Sequence, residues 1–446
     1  MRTSVALVSL GCAKNLVDSE VMIGLLSEAG FEPVVNLNKA DVLLVNTCAF
    51  IDEAQEEAID TILGLAELKK KDPCRKLVVT GCLAQRFPED LLREIPEIDA
   101  VVGTGDFARI VEVVKDTMDG KRVNLVSRQP CFIYDETFPR RISTPRHTAY
   151  IKIAEGCSNR CSYCVIPFVR GKFRSRPIAS IVEEARKLAQ DGARELILIA
   201  QDTTRYGQDL YGKYALDKLL QEVCRIDEVE WVRVLYMYPT RVTDELIRVI
   251  AREPKVCKYV DLPLQHVDDE LLKLMNRHGR HEDARQTIDR LRQAVPDITI
   301  RSTFIVGFPG ETEAKFQSLL DFLEEARLDR VGVFTYSPQS GTPASRFSGR
   351  VKQSVKERRR QEAMEVQRMI SREKNASKIG QIMKVLIEGR AEESELVTIG
   401  RSQAEAPEID GLVYIGNAHP EPGEFRFVRI TDASDYDLVG EIVSSH

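Results

Sequence analysis

The sequence predicts an α/β protein in three parts: an N-terminal parallel-sheet α/β domain, a central partial (βα)6 barrel and a small C-terminal antiparallel β-barrel. Three observations carry this prediction. Short apolar runs alternate with amphipathic helical patterns from Ser4 to Phe334, which implies parallel strands joined by helical crossovers. The central stretch holds six such units, two fewer than a full eightfold barrel. From Gln381 the pattern changes to five short alternating runs separated by turn residues, as in a small β-barrel.

The chain has 446 residues, 43% hydrophobic and 30% charged, with a net charge of −6, so no global basic signature for nucleic acid exists. No stretch is long and apolar enough to span a bilayer, which predicts no membrane partner. The opening Met1–Arg2–Thr3–Ser4–Val5 enters a strand with no signal-peptide layout, so a cytoplasmic location is expected. Ten cysteines in such a chain read as reduced thiols available as ligands, not as a disulfide framework.

The first domain, residues 1–126, carries apolar runs at Ser4–Leu10, Asp41–Asn46, Lys76–Thr80 and Asp99–Gly103. A helical pattern ends near Gly30 and an acidic one runs from about Ile51 to Lys70. Cys12, Cys48 and Cys82 each lie one or two residues beyond the end of a run. Ligands of parallel α/β sheets gather at the carboxyl ends of the strands, so the three thiols occupy equivalent places and can converge. The residues alone leave two readings, ligands of one cluster or buried core thiols. Gly11 and Gly81, directly before two of them, favour close approach of the backbone to a ligand. Cys74 and Cys131 fall in loops, and Cys224 and Cys257 read as core residues.

Residues 127–147 contain Pro130, Pro139, Pro145 and the pair Arg140–Arg141, and read as a connector. The barrel, residues 148–350, has apolar runs at Tyr150–Ala154, Glu195–Ala200, Trp231–Tyr236, Cys257–Leu262, Ile298–Val306 and Val331–Phe334. Directly after the first run come Cys157, Cys161 and Cys164 at C-x3-C-x2-C spacing. Three thiolates bind three irons of a 4Fe–4S cube and leave the fourth open to a substrate. An electron-carrier ferredoxin would supply a fourth cysteine nearby, but the next is Cys224. A zinc site would add histidine or a second cysteine pair, and no histidine lies between His147 and His266. Other polar residues share the carboxyl face: Gln201, Asp202, Thr203, Asp261, Gln265, His266, Arg301 and the Gly307–Phe308–Pro309–Gly310–Glu311 loop. Each also has a reading as a cap or a satisfied loop side chain.

The cysteine spacing, with the aromatic Tyr163 just before the third thiol, resembles the radical S-adenosylmethionine (radical SAM) superfamily. Together with Gly11–Cys12–Ala13–Lys14–Asn15, Asn46–Thr47–Cys48 and Thr80–Gly81–Cys82, the chain as a whole resembles the methylthiotransferase family. The resemblance implies a TIM-like radical SAM barrel with two 4Fe–4S clusters. One would be held by Cys157, Cys161 and Cys164, and an auxiliary one by Cys12, Cys48 and Cys82. It also implies S-adenosyl-L-methionine (SAM) as cofactor, with Tyr163, Gln201 and the Gly307–Glu311 loop as contacts. Asp202 and Arg301 join the candidates by sharing the face. Transfer of a methylthio group in two SAM-dependent steps and a low-potential electron donor follow from the same resemblance.

Residues 351–378 form a charged helix carrying Lys356, Arg358, Arg359, Arg360, Arg368, Arg372 and Lys374, which reads as a solvated face before an RNA-contacting patch. Residues 379–446 resemble a TRAM domain, usually an RNA-binding module. From Gln381 onward, five basic residues stand against thirteen acidic ones, a net of −8 that should repel phosphate and attract a basic partner. Two branches of the family differ in substrate: adenosine in tRNA, or an aspartate β-carbon in small ribosomal subunit protein 12. The acidic charge of the module favours the basic protein substrate over RNA, and Asp261–Leu262–Pro263–Leu264–Gln265–His266 and Asn46–Thr47–Cys48–Ala49–Phe50–Ile51 resemble the second branch, so RNA binding by the TRAM domain is not expected. A rival of another class is a non-catalytic Fe–S protein bound to ribosomes. Nothing in the sequence requires an oligomer, so a monomer is expected.

Overall fold

The computed structural model describes residues 2–392, 394–416 and 419–443. In the N-terminal part, β1 (Ser4–Ser9), β2 (Glu32–Pro33), β3 (Val42–Thr47), β4 (Lys76–Gly81), β5 (Ala100–Val102) and β6 (Val123–Leu125) form one parallel sheet in the order β2-β1-β3-β4-β5-β6. The direction of winding reverses between β1 and β3, where crevices for ligands open in such sheets. Cys12 follows β1, Cys48 follows β3 and Cys82 follows β4. The two outer strands β2 and β6 were not visible as apolar runs. They have only two and three residues, and Pro33 and Asn124 interrupt their hydrophobicity.

The central part comprises β7 (Thr148–Lys152), β8 (Ala154–Glu155), β9 (Arg174–Ser175), β10 (Glu195–Ile199), β11 (Trp231–Val234), β12 (Tyr259–Asp261), β13 (Thr299–Val306) and β14 (Arg330–Thr335). β7, β10 and β11 form one parallel sheet and β12, β13 and β14 another. Backbone bonds from Cys257 N–H to the Val232 carbonyl (3.0 Å) and from Met237 N–H to the Asp261 carbonyl (2.9 Å) join them into an open six-stranded barrel. Alternation decides which way each side chain faces. Ile151, Leu196, Leu198, Val232, Val234, Val260 and Phe304 pack in one core with the outer helices. Tyr150, Ile197, Ile199, Trp231, Leu235 and Tyr259 belong to a second core, shared with Val17, Val21 and Met22 of the N-terminal helix Ala13–Glu28. That helix therefore seals part of the barrel. The connector acts as a strap: buried Arg140 bridges Glu20 (2.6 Å) and Glu184 (2.8 Å) across the two parts.

The long helix Gln353–Ala376 departs from the expected solvated face. Lys356 and Arg359 are buried, the first on the Tyr336 carbonyl (2.5 Å) and the second on Glu311 (2.7 Å). Arg358, Arg360, Arg368 and Lys374 pair with Glu313, Glu357, Asp435 and Asp329, so the basic run latches the chain to itself.

β15 (Ile382–Ala391), β16 (Ser394–Arg401), β17 (Val413–Gly416), β18 (Phe425–Ala433) and β19 (Leu438–Ile442) close a small barrel in the order β15-β16-β17-β19-β18. Its β16–β17 connection enters the amino end of the central barrel. Arg401 reaches Glu195 (2.6 Å), Glu405 reaches Arg330 (3.1 Å), and the Tyr259 hydroxyl donates to Asp410 (2.7 Å). Glu195, Tyr259 and Arg330 are the first residues of β10, β12 and β14, so the module floors the barrel at the end opposite Cys157. Glu388, Glu405, Asp410 and Asp435 are all committed to pairs within the chain, which lowers the acidic surplus left at the surface. Glu393, one of the acids in the sequence count, lies outside the described residues.

Candidate active site between two cysteine triads

The Cys157–Cys164 segment leaves the short strand β8 at the barrel's carboxyl end. Gly156 turns it with φ +77°, and a Cβ there would strike the Lys172 and Gly171 carbonyls. Cys157 N–H donates to the Gly171 carbonyl (3.0 Å) and Ile166 N–H points at the Cys164 sulfur (3.5 Å). Asn159 donates to Asp202 (2.9 Å) and accepts from Arg241 (2.8 Å), while Ser162 N–H bonds to the Met275 carbonyl (2.9 Å). Burial pushes the Cys157 thiol up to about 11, and burial with the Cys161 thiol pushes Cys164 up as well. Thiols held this high need a metal or a cation to ionise.

In the second triad Gly11 has φ +87°, and a Cβ there would stand 2.7 Å from the Cys48 Cβ. Gly81 has φ +94° and lies against Asn46 and Thr47. These two glycines let the ends of β1, β3 and β4 crowd together. Burial raises Cys48, and raises Cys82 to about 12. Cys12 lies at the exposed corner of the triad, crowded by neighbouring backbone, and Lys14 and Arg170 beside it outweigh that crowding and hold its thiol below the ordinary value.

Between the triads runs a buried polar network that sequence reasoning missed. Lys152 reaches Asp18 and Glu155, and Arg170 reaches Asp18 (2.6 Å), Glu155 (3.1 Å) and Asn15. Gln201 donates to Glu155 (2.8 Å), and its Oε1 is buried without a hydrogen-bond partner among the described residues. The one available signal was Lys152, a charge inside an apolar strand.

The sequence-predicted residues do not all face the site. Gln201 joins the buried network on Glu155 and leaves one oxygen unpartnered among the described residues. Asp202 is committed to Asn159, Arg241 and Thr204, so it braces the cysteine loop. Arg301 pairs with Asp261 (3.0 Å) and lies 3.7 Å from Asp410, on the barrel floor. Phe308 is fully buried against Tyr336 and Phe347, with Tyr163 edge-on at 6.4 Å. Glu311 accepts from Gly307 N–H and pairs with Arg359, which holds the Gly307–Glu311 loop, Pro309 and Gly310 included, from within.

The donor sets fit iron–sulfur clusters. Each triad offers three thiols and no fourth, and no group of three His, Cys, Asp or Glu among the described residues closes around a single ion. In a cube each thiolate sits on its own iron, so the thiols need not close around a single ion. Gln201 Oε1 supplies an acceptor awaiting a donor, as a SAM amine or hydroxyl would provide.

A six-stranded parallel barrel with a three-cysteine loop at its carboxyl end defines a radical SAM enzyme. Residues 151–323 match the radical SAM superfamily, residues 4–103 the uncharacterized protein family UPF0004 and residues 379–443 the TRAM domain. A relative from Geobacter sulfurreducens, ribosomal protein uS12 methylthiotransferase RimO, is 50% identical over 99% of both chains. One of the same name from Desulforamulus reducens is 51% identical over 98% of this chain and 99% of its own. The chain belongs to this methylthiotransferase family, so it is an enzyme that transfers a methylthio group, with SAM and a 4Fe–4S cluster as the family's equipment. Among solved structures, the radical SAM methyltransferase TsrM from Kitasatospora setae matches with TM-score 0.56 at 18% identity, covering 76% of this chain and 75% of its own. The cobalamin-dependent enzyme OxsB matches with TM-score 0.52 at 12% identity over 77% of this chain and 54% of its own. At such identities the likeness concerns the fold alone. No helix among the described residues is long and apolar enough to cross a membrane.

Proposed function

We propose that this enzyme methylthiolates the β-carbon of an aspartate in small ribosomal subunit protein 12, with two 4Fe–4S clusters held by Cys157, Cys161 and Cys164 and by Cys12, Cys48 and Cys82. The observation that carries the reading is the pair of triads, each on the carboxyl end of its own parallel sheet and bridged by one buried network. Full-length identity near 50% to relatives named for uS12 supports the protein substrate over tRNA.

When bound, SAM and the clusters supply one-electron chemistry that removes hydrogen from an unactivated carbon, and the sulfur and methyl that replace it. The chain's own residues position and seal. Asp202, Asn159 and Arg241 fix the first cysteine loop. Gln201, whose amide oxygen has no partner among the described residues, would accept from the SAM amine or ribose, and Tyr163, next to the third thiol, would flank the cofactor. The Gly307–Glu311 loop, locked by Arg359, would present backbone to the nucleotide. The N-terminal helix and the β16–β17 connection close the barrel from two sides, which would exclude water from the reaction once the cofactor is bound. A low-potential electron donor completes the system, and the chain acts as a monomer.

The test is a paired assay. Anaerobically reconstituted enzyme, SAM, sulfide and a low-potential reductant are given either a peptide of protein 12 or unmodified tRNA, and products are weighed by mass spectrometry. A methylthio group only on the peptide supports the proposal. A product only on tRNA overturns the substrate, and absence of 5′-deoxyadenosine with both leaves an Fe–S carrier as the better reading.

A further inference from the structure

Lys14 stands two residues beyond Cys12, is 8% exposed, and points into the seam between the N-terminal part and the barrel. Its ammonium lies over the Tyr236 ring, 3.2 Å from the centroid. The barrel goes to some length to put that ring there. Tyr236 has φ +61°, a left-handed conformation that a non-glycine residue adopts only when its surroundings hold it there. The strain is held from both sides: Tyr236 N–H donates to Asp261 (3.0 Å), and its carbonyl accepts from Thr203 N–H (3.0 Å).

Charge counting around the triad singles Lys14 out. Arg170 and Lys152 are answered by Asp18 and Glu155, two cations against two carboxylates, so that network is neutral as a unit. No carboxylate pairs with Lys14 among the described residues; the groups that act on it are Tyr236, Cys12 and Arg170. One uncompensated positive charge therefore sits beside the Cys12 thiol, at one corner of the triad. Three thiolates on a cube leave a net negative charge, and reduction adds another. A fixed cation in a poorly screened place favours the more negative, reduced form.

We infer that Lys14, pinned by Tyr236, is the positioning residue that compensates the charge of the auxiliary cluster and raises its reduction potential. The inference rests on reading Cys12, Cys48 and Cys82 as cluster ligands. Because Tyr236 belongs to the barrel and Lys14 to the N-terminal part, docking of the two parts is what completes this electrostatic setting.

The experiment uses the full chain carrying Cys157→Ser, Cys161→Ser and Cys164→Ser, so that only the auxiliary cluster is loaded, with its midpoint read by redox titration under electron paramagnetic resonance. Lys14→Met should move the midpoint to more negative potential and Lys14→Arg should return it. Tyr236→Leu, which frees the ammonium, should give a smaller shift of the same sign. Lys172→Met, an exposed lysine, serves as control. Lys14→Met with full iron and an unmoved midpoint overturns the inference. If Lys14→Met holds no iron, Tyr236→Leu decides, and an unmoved midpoint there overturns it equally. Failure of the three-serine protein itself to take iron removes the ligand assignment and the inference with it, a result distinct from a loaded, unshifted cluster.

Discussion

Arg170→Met tests the seam between the two triads. Arg170 is 2% exposed and its guanidinium serves Asp18 at 2.6 Å and Glu155 at 3.1 Å, both carboxylates buried. Removing it leaves two buried carboxylates facing Lys152 alone. One uncompensated buried charge costs about 3–5 kcal/mol. That is a large fraction of the roughly 5–15 kcal/mol that holds a domain together. Asp18→Asn alone upsets the balance the other way, leaving Arg170 and Lys152 to share Glu155. The double variant restores one cation to one anion. It should therefore be less destabilised than the sum of the singles, with a coupling energy of about 2–3 kcal/mol. The assay is urea unfolding of the iron-free protein, so that cluster loss does not enter the measurement. Hydrogen exchange at residues 13–20 locates the transition. A cost below about 1 kcal/mol for Arg170→Met, or strict additivity in the double variant, refutes the argument that these charges form one balanced unit.

Three further outcomes follow from other parts of the molecule. Burial acts to raise Glu195, but Arg401 and Arg233 win and bring it to about 2, below its ordinary 4.5. Its folded value is depressed, so its contribution of about 3 kcal/mol is complete above pH 4.5 and fades as pH falls toward 2, a slope that thermal melts of Glu195→Gln should lack. Gln201→Leu should weaken SAM binding about tenfold by calorimetry, the loss of one well-placed hydrogen bond, without changing iron content. Replacing any one cysteine of either triad by alanine should remove about half of the bound iron, whereas Cys74→Ala and Cys131→Ala, both exposed, should remove none.

Periodic and local features are legible in the sequence alone. Strand–helix alternation placed every strand of the central barrel long enough to show a hydrophobic run, and the change of period at Gln381 marked the C-terminal barrel. The positions of Cys12, Cys48 and Cys82 just past their strands followed from the same pattern, because a parallel sheet brings all carboxyl ends to one edge. Tertiary structure alone decided the rest. Arg170 and Asp18 are 152 residues apart, and Arg401 and Glu195 are 206 apart, so no local spacing announces either pair. Asp202 and Arg301 were candidates by sharing the reactive face and Glu311 by the family resemblance of its loop; folding gives each a partner, Asn159, Asp261 and Arg359, that no local spacing shows. The acidic count of the C-terminal module overstated its surface charge for the same reason, since Glu405 and Asp410 are turned inward onto Arg330 and Tyr259. Apolar burial repeats along a chain and is legible in it. Neutralisation of buried charge is a pairwise matter between distant residues, and it is settled only when the elements pack.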